Sequence, residues 1–198
     1  MSLNLEERTN RYAGAIRRAG AWLDQRGLSI EDASTFQLGV VCDDSPESAP
    51  YKGRLSIPYV TPAGVKDIRF RSLDGEGPKY LSRPGAPSLM FNVGALWRDS
   101  DTIAICEGEI DAIVMDLYSG IPAVGIAGAN GWKQHYAKLF ADYDRVLVVG
   151  DGDSAGREFA RTVCSKVESA IPVQMRDGLD VNDLYLLEGI DAIEKLVA

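Results

Sequence analysis

From residue 99 onward, short apolar runs alternate with amphipathic segments of helical period. "DTIAICEG" reads as a strand, "EIDAIVMDLYSG" as a helix, "PAVGIAG" as a strand and "WKQHYAKLFADY" as a helix. "RVLVVGDGD" is the next strand and "SAGREFARTVCSKVESA" its helix; "IPVQM" follows as a short strand, and "DVNDLYLLEG" with "DAIEKLVA" close the chain in helices. The four consecutive apolar residues Val146 to Val149 mark a strand covered on both faces. Such alternation predicts an α/β domain, a mostly parallel sheet flanked by helices.

The first half has another rhythm. Residues 4–26 carry Tyr12, Ile16, Ala19 and Leu23 at helical spacing and predict one helix, stopped at Gly27. "SIED" resembles a capping box that opens a second, short helix. "ESAPYKG" is a loop, Leu55–Tyr59 and Val65–Arg71 are strands around a "TPAG" turn, and "DGEGPKYLSRPGAPS" is too rich in Gly and Pro for regular structure. The expectation is a smaller α+β subdomain over residues 1–98, followed by the α/β domain over 99–198.

The predicted strands place acids at their carboxyl ends, where open parallel sheets bind ligands. Glu107 ends the first α/β strand, and Asp111 lies one helical turn beyond it. Asp151 and Asp153 end a later strand with one glycine between them. In extended backbone such residues face the same way, about 6–7 Å apart at Cα, where two like charges need solvent or a cation to offset them. Asp180, Asn182 and Asp183 form a third polar cluster in "GLDVNDL". Oxygen donors converging from one sheet edge suit a hard divalent ion, and Mg²⁺ in particular uses few carboxylates alongside phosphates and water. Asp180 and Asn182 equally suit helix caps, and Asp111 equally suits a first-turn role in its helix.

Charge adds a second feature. The net charge of −8 hides an asymmetry: residues 51–98 hold eight basic and three acidic residues, whereas 99–198 hold eight basic and eighteen acidic. A basic track next to an acidic pocket suits a polyanion and a metal. No apolar run approaches the roughly 18 residues of a membrane span, and no secretory signal opens the chain. The three cysteines, Cys42, Cys106 and Cys164, stand apart from one another and from His135. That spacing predicts a reducing, cytoplasmic setting and no zinc site in this chain.

"EGEIDA" on one strand–helix turn and "DGDSAG" two strands later together resemble the TOPRIM fold, found in bacterial-type primases, topoisomerases, recombination mediators and some nucleases. "WLDQRGLSIEDASTFQLGVV", "GRLSIPYVTPAGVKDIRFRSL" and "PKYLSRPGAPSLMFN" follow in the order of bacterial-type DNA primases, and "GLDVNDL" is similar to the acidic third motif of phage and plasmid primases. The resemblance runs from about Arg17 to the end of the chain.

It implies a primase catalytic core that joins ribonucleoside triphosphates into short RNA on single-stranded DNA, with Mg²⁺ or Mn²⁺. Asp151, Asp153 and Asp180 are then metal ligands, and Glu107 is either the base or a further ligand. Arg26, Arg71 and Lys79 match basic residues of the primase cleft, and Tyr80 is placed to stack a base; Arg26 equally suits a helix C-terminus and Tyr80 a core position. The family also implies a zinc-binding template module and a replicative helicase as partners outside this chain. The chain is therefore expected to be a piece of a longer protein or a minimal version such as a phage divides between genes. The alternatives are a TOPRIM accessory module inactive alone, or a metal-dependent TOPRIM nuclease; the chain is too short for a type IA topoisomerase.

Overall fold

Helix α1 (Leu5–Ala13) starts at Asn4, whose side chain accepts the Glu7 N–H while the Glu7 carboxylate accepts the Asn4 N–H. The computed structural model describes residues 4–198 in two units, one ending at Pro87 and the other running from Ser88 to Ala198.

In the first unit the expected unbroken helix over 4–26 is divided. After α1 comes a 3₁₀ turn, Ile16–Ala19, and then α2 (Gly20–Asp24). The reason is long-range: β1 (Gly39–Val40) passes so close that a Cβ on Gly39 would collide with the Tyr12 backbone. The "SIED" cap is present, with Ser29 and Asp32 exchanging hydrogen bonds at the start of α3 (Ile30–Thr35). Strands β2 (Leu55–Thr61), β3 (Gly64–Arg71) and β4 (Tyr80–Leu81) complete an antiparallel sheet in the order β1-β2-β3-β4. Strand β4 lies inside the segment expected to be irregular, and it sets Tyr80 directly opposite Arg71. Tyr12, Val41, Tyr51, Ile68 and Phe70 form a core beneath the sheet, with Tyr51 stacked on Phe70.

The second unit follows the predicted alternation: β6 (Thr102–Cys106), α4 (Glu109–Tyr118), β7 (Ala123–Ile126), β8 (Arg145–Val149), α5 (Ser154–Cys164), β9 (Ala170–Val173), α6 (Val181–Glu188) and α7 (Ile190–Val197). An additional strand, β5 (Met90–Phe91), pairs antiparallel with β7, so the sheet order is β5-β7-β6-β8-β9 with its other pairs parallel. Because Met90 and Phe91 belong to this sheet, the division falls at Pro87 rather than after residue 98. The segment expected to be an α-helix over 132–143 is instead a 3₁₀ helix, Gln134–Phe140. It folds Tyr136 and Phe140 into the core, both against Trp132. Helix α5 ends at Cys164, short of the expected residue 170, because Ala170 already belongs to β9, where it lies opposite Val146.

Candidate metal centre and nucleic-acid interface

Strands β6 and β8 are adjacent and parallel with Cys106 opposite Val149, so Glu107 and the Gly150–Asp151 turn emerge at the same sheet edge. The Asp151 N–H donates to Oε2 of Glu107 at 3.3 Å, and the Glu107 N–H donates to the Val149 carbonyl at 3.2 Å. Burial holds the Glu107 carboxyl above the ordinary glutamate range, and the charge of Asp153 adds to this, against the donated Asp151 N–H. The loop after β7 turns over the same carboxyl at Gly128, whose φ of +63° is a left-handed conformation suited to glycine.

Beyond Asp151 the chain turns at once into α5. Asp153 is its N-cap, with Oδ1 accepting the Gly156 N–H at 2.8 Å. Gly156 lies so tightly over Asp151 that any side chain there would strike the Asp151 backbone. Gly152 exchanges backbone hydrogen bonds with the loop before α6: its N–H donates to the Leu179 carbonyl, and the Gly178 N–H donates to the Gly152 carbonyl, both at 2.8 Å. This pairing brings the third acidic cluster to the same edge. Asp180 caps α6 in a reciprocal box with Asp183. Buried Asp111 accepts the N–H of fully buried Asn182 at 3.1 Å, tying α4 to α6.

The acidic residues singled out from the sequence therefore gather in one unit, each with an internal duty. Sequence reasoning assigned no role to Gly152, Gly156 or Gly128, which hold the loops in place. The "DGDSAG" spacing was the available signal for Gly152 and Gly156. The donor set suits a divalent metal: Glu107, Asp151 and Asp153 offer hard carboxylate oxygens at one edge, and the Glu107 carboxyl, raised chiefly by burial and then by the charge of Asp153, is one that a cation would relieve. Among the described residues no three His, Cys, Asp or Glu side chains are grouped so that they could hold a metal ion by themselves. An open site completed by water and phosphate oxygens is what Mg²⁺ uses in phosphoryl chemistry.

The first unit gathers three of the four expected nucleic-acid residues. Arg71, on β3, donates from Nη1 to the Tyr80 hydroxyl at 2.6 Å and lies over both Tyr80 and Trp22. Arg26 lies over the other partner, Trp22, at 5.5 Å. Lys79 is exposed on the approach to β4, where its carbonyl accepts the Ser72 N–H. Arg71 is 7% exposed, so most of its side chain is buried within this cluster. Trp22 and Arg69, which lies over Tyr80 at 4.7 Å, were not singled out from the sequence. The Trp22–Arg26 spacing of one helical turn was a legible sign for the former.

A mostly parallel sheet with a glutamate ending one strand, an Asp-x-Asp turn ending its neighbour and helices on its faces is the arrangement of a TOPRIM protein, and residues 102–191 match the family described as Toprim domain. Gene 57 protein of Mycobacterium phage D29 is 43% identical over 148 residues, covering 72% of this chain and 97% of that protein. The DNA primase of Pseudomonas aeruginosa is 32% identical over 178 residues, covering 83% of this chain and 26% of the primase. Among solved structures, the RNA polymerase domain of Mycobacterium tuberculosis primase DnaG, in complex with a DNA oligomer bearing a 6-nucleotide overhang, has a TM-score of 0.79 at 23% identity over 96% of this chain and 76% of that one. A DnaG primase catalytic domain bound to ssDNA has a TM-score of 0.75 at 21% identity, covering 96% and 75% of the two chains. The chain belongs to the bacterial-type TOPRIM primase family. It spans about a quarter to a third of the length of the curated primases from P. aeruginosa and Neisseria meningitidis that it matches, 26% and 35%.

Proposed function

We propose that this chain is a primase catalytic core: it joins ribonucleoside triphosphates into short RNA on a single-stranded DNA template, with Mg²⁺ or Mn²⁺. The observation that carries this is the placement of Glu107 beside Asp151 at neighbouring strand ends, in a chain whose relatives are DNA primases. A 3′-hydroxyl attacks the α-phosphate of the incoming nucleotide and pyrophosphate leaves. Glu107, Asp151 and Asp153 would hold the metal, with Asp180 at the rim, and the metal supplies charge neutralisation of the phosphates when bound.

This chain's own residues have the remaining work. Glu107, its carboxyl raised by burial and so made more basic, is suited to take the proton of the attacking hydroxyl. The hydrogen bond from Asp151 fixes its orientation. The Gly152–Leu179 pairing keeps the two acidic loops in register. Arg26, Arg71, Lys79 and Tyr80 would serve the template or triphosphate. The setting is the cytoplasm, that of the host if phage-encoded. A zinc-binding module and a replicative helicase would supply template choice and recruitment. Among the described residues no helix is long and apolar enough to cross a membrane.

The test is incorporation of labelled ribonucleotides on primer-free single-stranded DNA, in Mg²⁺ and in Mn²⁺, for wild type and Asp151→Asn. Short RNA from wild type alone is the expected result. Shortened DNA without RNA product would replace this reading with a nuclease.

A further inference from the structure

The second unit holds a cavity of about 540 Å³ between α5, strand β9 and the loop that follows β9. Asp151 and Gly152 contribute to its wall, whereas Glu107, Asp153 and Asp180 do not line it. One acidic turn thus borders two spaces, the candidate metal centre and this cavity. The volume falls within the range of small-molecule sites, about 300–1,000 Å³. Ala160, Cys164, Pro172, Val173 and Met175 make the wall mainly apolar, and Ala160 and Met175 are themselves buried.

The polar groups of the wall are few, and positive charge stands among them. Ser154, Arg157 and Arg161 follow one another at helical spacing on α5, and all three line the cavity. Nη1 of Arg157 lies 3.6 Å from Oδ1 of Asp177, a further lining residue, on the loop after β9. The two side chains are 62% and 99% exposed, so the pair is worth little and opens readily. An incoming anion can therefore take the place of Asp177 beside Arg157 at small cost. Arg161 is paired with Glu158 on the same helix, which leaves Arg157 as the principal anion partner. The shape also selects the kind of occupant. Strand β9 is the edge of the sheet, but it is only four residues long and Pro172 has no N–H to offer. Addition of a strand from another chain is thus disfavoured, and a small molecule fits the space.

We propose that this cavity is a second binding site, for a small aromatic anion. A flat apolar ring packs against Ala160, Val173 and Met175, and its carboxylate, sulfonate or phosphate group sits on Arg157. Because Asp151 and Gly152 form part of the wall, the bound ring abuts the turn that carries a candidate metal ligand. The inference does not rest on the primase reading.

The experiment titrates anilinonaphthalene sulfonate, an aromatic sulfonate that fluoresces when bound, into the full chain. Alkylation of Cys164 and Cys42 by iodoacetamide is followed in parallel by mass spectrometry. Both thiols are partly exposed, Cys164 on the cavity and Cys42 in the other unit, so the second is an internal reference. The dye is expected to bind saturably and to slow alkylation of Cys164 while leaving Cys42 unchanged. Arg157→Gln is expected to weaken binding about tenfold, the loss of one charge-assisted hydrogen bond. Asp177→Asn removes the competing carboxylate and is expected to tighten binding by up to about fivefold. Both positions are exposed, so melting should not change. The neutral dye N-phenylnaphthylamine, with the same rings and no sulfonate, should shield Cys164 less well. A dye that brightens without shielding Cys164 sits on apolar surface elsewhere, such as the exposed Leu186 and Leu187 of α6, and overturns the site. Absence of binding overturns it too, as does binding indifferent to the sulfonate, to Arg157 and to Asp177. Primer synthesis enters none of these readouts, so the primase reading stands or falls separately.

Discussion

The Gly152 N–H donates to the carbonyl of Leu179, and through this bond the Asp151–Asp153 turn and the Asp180 loop are one structural piece. A Cβ on Gly152 would collide with the carbonyl of Arg176, which is backbone and has little freedom to yield. Gly152→Ala is therefore expected to cost about 3 kcal/mol of stability, at the upper end for overpacking. Activity should fall further than stability alone explains, because both acidic loops shift. Denaturant melts and primer synthesis below the melting temperature check this; a variant with wild-type activity would separate the two loops.

Glu107 carries an energetic cost that depends on pH. Its carboxyl is raised above the usual value of about 4.3, chiefly by burial. Below about pH 4 the folded and unfolded chains both hold the proton, so the group makes no difference. As pH rises through the raised value, ionisation is harder in the folded state, and stability is lost relative to a neutral side chain. Glu107→Gln, which can still accept the Asp151 N–H, is thus expected to melt above wild type at pH 7–8 in a chelator. Near pH 4 the two should melt alike, and synthesis by the variant should be abolished. A melting difference that persists unchanged at pH 4 would contradict the burial account.

Asp111 separates support from chemistry. Its Oδ1 accepts the N–H of Asn182, and both residues are buried. Asp111→Ala strands a buried donor, which costs about 1–3 kcal/mol. Asp111→Asn keeps an acceptor and is expected to melt close to wild type. If Asp111 only ties α4 to α6, Asp111→Asn retains synthesis; if it does not, the residue has a charge-dependent role at the metal. Paired melting and synthesis assays on the two variants decide the matter.

The sequence was most informative where local pattern and tertiary demand agree. Strand–helix alternation after residue 99 places β6, α4, β7, β8 and α5 in order, and because ligands gather at carboxyl ends of parallel strands, Glu107 and Asp151 stand out from the pattern alone. It was least informative where a distant segment decides the outcome. Nothing near Gly14 announces that Gly39 will press against Tyr12 and break the first helix. Strand β5 is two residues long, and only its pairing with β7 assigns it to the second unit. Asp153 and Asp180 illustrate a third case, in which one pattern meets two demands. An aspartate ahead of a helix is both a cap and a candidate ligand, and the structure shows the cap in both.

That double duty can be resolved at Asp153 by changing charge and shape separately. Its Oδ1 accepts the Gly156 N–H, and asparagine caps a helix about as well as aspartate. Asp153→Asn is therefore expected to melt within a few tenths of a kcal/mol of wild type in a chelator. Asp153→Ala should lose about 1 kcal/mol, the usual worth of a cap. Added Mg²⁺ supplies the second axis. An ion that binds only the folded chain stabilises it by about 2.7 kcal/mol at one hundred times its dissociation constant. Wild type should show a rise of this kind, and both variants should lose most of it. If Asp153→Asn keeps the full Mg²⁺ response, the aspartate is a cap alone, and the metal is held by Glu107 and Asp151 without it.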